Sequence, residues 1–300
     1  MRSRLAVPFL MYHAIRGEST LRQACPEPGR RAQGDRGTGT VRAEPVEART
    51  MADPVYTVSL ADFEQQLAYL HRAGFQAISL AQFQAWHHYG DPLPPKPIVL
   101  TFDDGDPSHH ELVLPRLMQY RFCGVFAVVP SWIGTPRSLS VEQLRGMQVA
   151  GMEIISHGMH HLPLTDLGTP QLREELVDSR RQLEVWLGKP VHALAIPRGF
   201  CSVRVRQVAY EGGYQLICTS RPDRNFQHSD PYNLARFPIK AHLQLEEFSR
   251  IVQAHPGQHA LGFAGYWVRH SAQRVLGPKR YDRLRAFLLR QLTARSTADA

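Results

Sequence analysis

Hydrophobic positions along the chain form two recurring patterns. Short, continuously apolar runs are bounded by Pro, Gly or polar residues, as from Pro97 to Phe102, and such runs are typical of strands buried on both faces of a parallel sheet. Between these runs, apolar residues recur at helical spacing, as at Leu172, Leu176 and Leu183, which predicts amphipathic helices. The two patterns alternate along most of the chain.

The alternation predicts the elements of the fold. Predicted strands lie at 7–15, 76–79, 96–102, 124–129, 152–156, 193–196, 214–219 and 237–239. Predicted helices lie at 59–74, around Phe83 and Trp86, at 112–117, from Ser140, and at 169–188, 203–211, 245–254 and 278–294. Alternating strands and helices form right-handed βαβ units, and this number of strands favours a closed or nearly closed sheet. We therefore predict an α/β fold, a distorted (β/α) barrel with about seven parallel strands.

Two segments interrupt this pattern. Residues 16–50 are rich in Arg, Gly, Pro and Glu and show no period, so we interpret them as a disordered insertion. Residues 266–300 hold eight basic and two acidic residues and supply +6 of the formal net charge of +8; we interpret them as a basic helical tail. Residues 1–15 are then the first strand of the barrel, and residues 51–265 are the main domain.

Charge and cysteine usage limit the classes of partner and compartment. The tail lacks a recognisable nucleic-acid motif and has few aromatic residues, so no nucleic acid is expected as a partner, while peripheral membrane contact through the tail stays open. No apolar run approaches a membrane span, and the four cysteines show no paired spacing. Residues 1–12 resemble a short signal peptide without a small-residue cleavage site, so we expect a cytoplasmic protein.

Two polar clusters follow predicted strands. Asp103 and Asp104 come directly after the apolar run that ends at Phe102, and His157 and His161 follow the strand that ends at Ser156. Adjacent carboxylates repel each other unless a cation neutralises one or one takes a proton. A solvated Asp-Asp-Gly turn would explain the first cluster alone. Because the carboxyl ends of parallel strands share one edge of the sheet, the second cluster favours a metal site there.

The histidine spacing suggests which side chains bind the ion. His157 and His161 are four positions apart, so one helical turn would bring both imidazoles to one side. His160 could replace His161 at three-residue spacing. One carboxylate and two imidazoles form an open three-ligand site for a divalent metal ion, and zinc is the ion that we expect.

These motifs resemble those of the polysaccharide deacetylase family, which shares a NodB-type homology domain. Residues 101–105, Thr-Phe-Asp-Asp-Gly, are similar to its first motif, and residues 157–161, His-Gly-Met-His-His, to its second, with Gly158 where the family has Ser or Thr. Residues 195–200 resemble the third motif, with Arg198 where an aromatic residue normally precedes the Gly. The resemblance covers about Val7 to Ile239 without the insertion, and it implies that residues 51–265 form the catalytic domain.

The resemblance also implies roles for individual residues. Asp103 would be the catalytic base, and Asp104, His157 and His161 would hold the metal. The segment with Pro197, Arg198 and Gly199 would contribute to substrate and oxyanion binding, together with Tyr12. The family's C-terminal Leu-x-His motif is not found, but Met11-Tyr12-His13 resembles the branch with an N-terminal segment of this kind, which makes His13 the expected general acid.

The expected activity is metal-dependent hydrolysis of N-acetyl groups on an amino-sugar polysaccharide or its precursor. Two alternatives stay open from the sequence. The same site could hydrolyse another non-peptide amide. The departures at Gly158 and Arg198 could instead mark a catalytically impaired protein that still binds carbohydrate.

Overall fold

The apolar runs of the sequence form the strands of a curled sheet and a small separate ladder. The computed structural model describes residues 5–17 and 53–253. Within them the strands are β1 (Ala6–Tyr12), β2 (Ile15–Arg16), β3 (Val58–Ser59), β4 (Gln76–Ala77), β5 (Pro97–Asp104), β6 (Val125–Val128), β7 (Glu153–Ser156), β8 (Ala193–Ala195), β9 (Leu216–Cys218), β10 (Arg224–Phe226) and β11 (Phe237–Pro238).

The main sheet is parallel apart from one edge strand. Its order is β10-β1-β5-β6-β7-β8-β9, with β4 on β5 and β11 on β1, while β2 and β3 pair separately. β10 runs antiparallel to β1, an addition that the hydrophobic pattern did not predict. Leu234 pairs with Cys218 of β9, and β11 pairs with β1, so residues 234–238 link the two sides of the sheet. The predicted distorted (β/α) barrel is confirmed.

Helices cover the sheet, and several of them begin at a serine cap. They are α1 (Leu60–Arg72), α2 (Leu80–Tyr89), α3 (Leu114–Tyr120), α4 (Val141–Val149), α5 (Thr169–Arg173), α6 (Ser179–Leu187), α7 (Val203–Glu211) and α8 (Leu245–Gln253). Single 3-10 turns lie at Pro54–Tyr56, Pro130–Trp132, Leu164–Asp166 and Pro197–Gly199, and π turns at His109–Val113 and Glu174–Asp178. Ser59 and Ser140 accept backbone N–H groups at the starts of α1 and α4, as N-cap residues do. The single helix predicted at 169–188 is found as two helices, α5 and α6, which are joined by the π turn Glu174–Asp178.

The hydrophobic core has an outer and an inner part. The outer part lies between the sheet and the helices. The inner part joins side chains from six parallel strands, among them Phe9, Val99 and Ala195, to Phe83 and Trp86 of α2. Side chains on a strand alternate between faces. Thr101 and Asp103, which follow Val99 at two-residue spacing, therefore face the inside of the barrel.

The predicted boundaries of the insertion, the main domain and the tail fall only partly within the described residues. Arg16 belongs to β2 and its guanidinium binds Asp106 through contacts of 2.7 and 2.6 Å. Arg16, the first residue of the predicted insertion at 16–50, is thus part of the ordered sheet. Residues 18–50 of that prediction, the end of the predicted main domain, the tail at 266–300 and the helix at 278–294 lie outside the described residues. Among residues 5–17 and 53–253, no helix has the length and hydrophobicity needed to cross a membrane.

Candidate metal and active site

The carboxyl ends of β5 and β7 bring together the residues predicted to bind a metal. Asp104 Oδ1 lies 3.4 Å from His157 Nε2 and 3.5 Å from His161 Nε2, and potential ligand atoms of the three residues all lie within 4.8 Å of one another. Asp104 Oδ1 is buried and has no hydrogen bond of acceptable geometry. Burying such an oxygen is costly, and a cation among the three side chains would satisfy it. The set therefore fits a divalent metal ion.

Both aspartates reach this site because the backbone turns between them. Successive side chains on a regular strand would point to opposite faces. Asp104 instead has a φ of 82° and is followed by Gly105 at 75°, and few residues other than glycine adopt such values. His157 Nε2 consequently lies 3.9 Å from Asp103 Oδ2 as well as close to Asp104. The strained turn at the end of β5 thus places two carboxylates at one point.

The loop after β7 is not the helical turn that the spacing of His157 and His161 predicted. Residues 157–161 are irregular, with Gly158 at a φ of 77° and His161 at 58°. The two left-handed residues fold the loop back, so that the rings of His157 and His161 lie 4.9 Å apart. The His160 side chain is 55% exposed, and its Nδ1 lies 2.6 Å from Glu175 Oε1. The structure therefore brings His161, and not His160, to Asp104.

A backbone carbonyl fixes the orientation of His157. Its Nδ1 lies 2.8 Å from the carbonyl oxygen of Ala195. Because a carbonyl only accepts, Nδ1 carries the proton and donates it. In the neutral ring, Nε2 is then unprotonated and faces Asp104, which is the arrangement commonly seen in metal-binding histidines.

The surroundings of Asp104 and His161 favour the forms of these two side chains that bind cations. Burial raises the pKa of Asp104, but the contact with His157 and the neighbouring charges of His161 and His13 outweigh it and hold this pKa below its usual range. Burial lowers the pKa of His161 to about 4, although Asp104 opposes the shift. Burial also lowers the pKa of His157, but Asp103 and Asp104 outweigh it and raise the value. At neutral pH, Asp104 is ionised and His161 is neutral.

Arg236 is a site residue that the sequence reasoning missed. Its Nη1 and Nη2 donate to Asp103 Oδ1 and Oδ2 at 2.7 and 2.9 Å, and its Nε donates to the carbonyl of Thr219 at 2.9 Å. Arg236 is 0% exposed and Asp103 is 1% exposed. Burial raises the pKa of Asp103, but the charges of Arg236 and His157 outweigh it and lower the value. A charged residue inside the apolar run at 234–239 was the available signal, because a buried charge needs a partner.

His13 lies close enough to the two aspartates for its charge to influence their pKa values. It follows β1, is half-buried, and its charge helps to lower the pKa of both Asp103 and Asp104. Its ring packs against Tyr56, with centroids 5.0 Å apart, and His109 Nε2 donates to its carbonyl oxygen at 2.8 Å. His13 Nδ1 is buried without a hydrogen-bond partner. The residue expected to act as general acid therefore lies at the site, and its role stays a prediction.

The third motif forms a single turn against the histidine loop. Arg198 and Gly199 both have left-handed backbones, with φ of 61° and 78°, and a Cβ on Gly199 would collide with Ser220. The charge of Arg198 lowers the pKa of His161, which places the guanidinium near this predicted metal ligand. The N–H of Gly199 donates to the carbonyl of Ile196 at 2.9 Å. Pro197 has no N–H, and the expected oxyanion N–H near Arg198 or Gly199 stays a prediction.

The side chain of Tyr12 does not face the site. It is 0% exposed, its hydroxyl donates to Gln66 Oε1 at 2.8 Å, and its ring stacks on Phe102 with centroids 5.3 Å apart. The expectation that Tyr12 contributes to substrate or oxyanion binding is therefore wrong for its side chain. The reason is strand alternation: Tyr12 belongs to the outer core with Leu10, whereas Phe9 faces inward.

Trp132 is a second residue that the sequence reasoning missed. Its ring centroid lies 5.2 Å from that of His161, in the turn at Pro130–Trp132 that follows β6. Its position after a central parallel strand, at the edge that carries the aspartates, was the available signal. The indole is therefore an apolar neighbour of His161, one of the three residues predicted to bind the metal.

Known proteins with similar sequences include deacetylases. The sequence model described as polysaccharide deacetylase matches residues 90–217. The poly-beta-1,6-N-acetyl-D-glucosamine N-deacetylase of Escherichia coli is 40% identical over 86 residues, which are 29% of this chain and 13% of that protein. The peptidoglycan-N-acetylglucosamine deacetylase of Bacillus cereus is 30% identical over 141 residues, which are 47% of this chain and 61% of that protein. The chain thus spans less than two thirds of either relative.

The fold has a counterpart among solved structures. The Streptococcus pyogenes deacetylase PplD, determined in complex with acetate, superposes with a TM-score of 0.69 at 21% identity, over 84% of this chain and all of PplD. The motifs at the ends of β5 and β7 lie inside the matched residues 90–217. Residues 90–217, which carry these motifs, therefore belong to the polysaccharide deacetylase family, and the two relatives named above are deacetylases, hydrolases of carbon–nitrogen bonds.

Proposed function

We propose that this chain is a metal-dependent hydrolase that removes N-acetyl groups from an amino-sugar polymer. The observation that carries the proposal is the set Asp104, His157 and His161, whose potential ligand atoms lie within 4.8 Å of one another, with the Asp103 carboxylate 3.9 Å from the same His157 nitrogen. The proposed ion is zinc, because two imidazoles and one carboxylate suit it and leave a position open. When bound, the ion would lower the pKa of a water molecule and polarise the amide carbonyl.

Asp103 is the proposed base. Arg236 keeps it ionised, and each carboxylate oxygen retains a lone pair after accepting one hydrogen bond from Arg236. Asp103 would take one proton from the attacking water while the water oxygen bonds to the acetyl carbon. A backbone N–H near Arg198 or Gly199 is the proposed donor to the negative oxygen that develops on that carbon.

His13 is the proposed general acid. The bond between the acetyl carbon and the sugar nitrogen cannot break easily unless the nitrogen receives a proton, because an amide anion is a very poor leaving group. His13 lies close enough to both aspartates for its charge to lower their pKa values. Proton transfer from His13 would release a free amine, and acetate would be the second product.

The proposed substrate is a β-linked N-acetylglucosamine polymer. The names of two relatives support this class: one acts on poly-β-1,6-N-acetylglucosamine and the other on peptidoglycan N-acetylglucosamine. Acetate release by the full chain should be compared on β-1,6 oligosaccharides, peptidoglycan glycan strands and small non-sugar amides. Preference for a sugar polymer, loss of activity with a chelator and recovery with Zn²⁺ are expected. Equal activity after complete metal removal would contradict the proposal.

The two alternatives from the sequence give different results in the same assay. A hydrolase of other amides would release more product from the small amides than from the sugars. A carbohydrate-binding protein without activity would retain the oligosaccharide in equilibrium dialysis and release no acetate in the presence of Zn²⁺.

A further inference from the structure

Glu175 is a buried acid next to the histidine loop, and no motif accounts for it. It is 2% exposed and lies in the π turn Glu174–Asp178. Its Oε2 accepts the backbone N–H of His160 at 3.0 Å, and its Oε1 lies 2.6 Å from Nδ1 of the same residue. The carbonyl oxygen of Glu175 accepts the N–H of Met159 at 3.0 Å. One residue therefore binds two consecutive residues of the loop.

The position of Gly158 is linked to the same carboxylate. A Cβ built on Gly158 would lie 3.1 Å from Glu175 Oε2 and 3.5 Å from Pro197 Cγ. The carboxylate thus occupies the space into which a side chain at position 158 would extend. Gly158 also has a φ of 77°, which disfavours any residue with a side chain. Glycine here and glutamate at 175 are therefore compatible with each other, whereas Ser or Thr at 158 would crowd the carboxylate.

The helix that carries Glu175 is itself fixed to β7. The hydroxyls of Ser156, at the end of β7, and Ser179, at the start of α6, lie 2.9 Å apart, and the Ser156 hydroxyl accepts the N–H of Gly158 at 3.2 Å. Tyr214 donates to the carbonyl of Leu176 in the π turn at 2.8 Å. A π turn inserted in a helix often marks a functional position. Glu175 is thus held by buried contacts and can fix the loop.

We infer that Glu175 is a positioning residue that sets His161 against His157 and Asp104, and that it does so where Gly158 supplies no side chain. The inference rests on the proposed metal site. The loop between the two histidines has an irregular backbone and cannot fix itself by helical hydrogen bonds. Glu175 attaches residues 159 and 160, directly before His161, and it also occupies Nδ1 of His160. It therefore directs His161 towards the ion and keeps His160 away from it.

The test is the affinity of the full chain for Zn²⁺, measured by competition with a chromophoric chelator and independent of activity. Glu175→Ala should weaken binding about 10- to 100-fold, as the loss of groups that orient metal ligands typically does. Glu175→Gln, which retains one acceptor oxygen, should fall between Glu175→Ala and the wild type. Glu174→Ala is the matched control, since Glu174 lies in the same π turn but is exposed, and it should bind Zn²⁺ like the wild type.

Circular dichroism of the metal-free proteins reports whether each variant folds, and Co²⁺ absorption spectra report the geometry of the site. If Glu175→Ala does not fold, Glu175→Gln decides: weaker binding and an altered Co²⁺ spectrum support the inference, and wild-type values for both overturn it. A folded Glu175→Ala with wild-type affinity and spectrum also overturns it, while the proposed function stands. A wild-type chain that binds no Zn²⁺ would overturn the proposed function and this inference together.

Discussion

The two halves of the site are built in different ways. The aspartate half is the end of β5, a strand buried along its whole length, and the base Asp103 is held there by two hydrogen bonds from Arg236. The histidine half is an irregular loop with two left-handed residues, and it is held by Ala195, Glu175 and Ser156 through backbone and side-chain contacts. The aspartate half therefore depends on a buried strand that ends in a left-handed turn, and the histidine half on contacts that hold an irregular loop.

The two halves of the site have different tasks. The aspartate half fixes the charge of the base, because a buried guanidinium opposes the effect of burial on the pKa of Asp103. The histidine half fixes the geometry of the ligands, because the carbonyl of Ala195 orients the His157 ring and the carboxylate of Glu175 holds the backbone directly before His161. Substitutions of Asp103 or Arg236 should therefore change the chemistry and its pH dependence. Substitutions in the histidine half should change metal affinity.

The largest expected effect is that of Asp103→Asn. Asparagine has the same shape but cannot accept a proton from water, so kcat should fall about 1,000-fold, within the usual range for general base catalysis. Zn²⁺ affinity should stay close to the wild-type value, because Asp103 is not one of the three proposed metal ligands. Steady-state acetate release and chelator competition check the two statements. Asp166→Asn, an exposed aspartate, is the control, and a nearly active Asp103→Asn would remove the distinction between the halves.

The next effect is that of His13→Gln. If His13 protonates the departing amine, kcat on an N-acetyl sugar should fall about 100-fold. The loss should be much smaller on an acetanilide with an electron-withdrawing substituent, whose amine leaves without full protonation. Comparing the two substrates in wild type and variant measures this dependence. An equal loss on both would show that His13 does not act as the general acid.

Arg236→Lys tests whether the buried guanidinium sets the charge of Asp103. Lysine keeps the charge but cannot make two parallel hydrogen bonds, so the pKa of Asp103 should rise. Since Asp103 must be ionised to act as base, the acidic limb of the kcat/KM profile should move to higher pH. The free energy of unfolding in urea should fall by about 1–3 kcal/mol. Arg116→Lys is the control, because its ion pair with Glu64 is partly exposed, with 27% and 48% of the two side chains accessible, and it should change neither quantity appreciably.

The same contrast explains what could be read from the sequence. β5 was predictable because its apolar run is local, and Asp103 and Asp104 follow it directly. The contact of Arg236 with Asp103 joins residues 133 positions apart, and no periodicity encodes it. The pairing of His157 with His161 was predicted from a helical turn, whereas two left-handed residues bring the two rings together in the structure. Tyr12, by contrast, could have been excluded from the site by strand alternation with Phe9.

The smallest effect on activity is expected at Glu153, at the opposite end of β7 from His157. Its carboxylate accepts the N–H of Leu80 at 2.6 Å, and burial raises its pKa from the ordinary 4.5 to about 7. The folded state therefore binds this proton more tightly than the unfolded state, so stability from this group is present below pH 4.5 and is lost as the pH rises to 7. Glu153→Gln should remove about 2 kcal/mol of this pH dependence.

Urea unfolding of wild type and Glu153→Gln at several pH values between 4.5 and 7 measures that difference, and kcat at pH 7 should be unchanged. An identical pH dependence in the two proteins would show that Glu153 does not keep its proton in the folded state. A large change in kcat would show that the start of β7, where Glu153 lies, also affects the histidine loop that follows this strand.

The claim on which the account depends is that Asp104, His157 and His161 hold one divalent ion. Equilibrium dialysis of the full chain against Zn²⁺, followed by elemental analysis, tests it directly on the wild type, His161→Ala and His160→Ala. The account predicts one tightly bound ion per chain in the wild type, its retention in His160→Ala and its loss in His161→Ala. A His161→Ala protein that still binds one Zn²⁺ with wild-type affinity would contradict it.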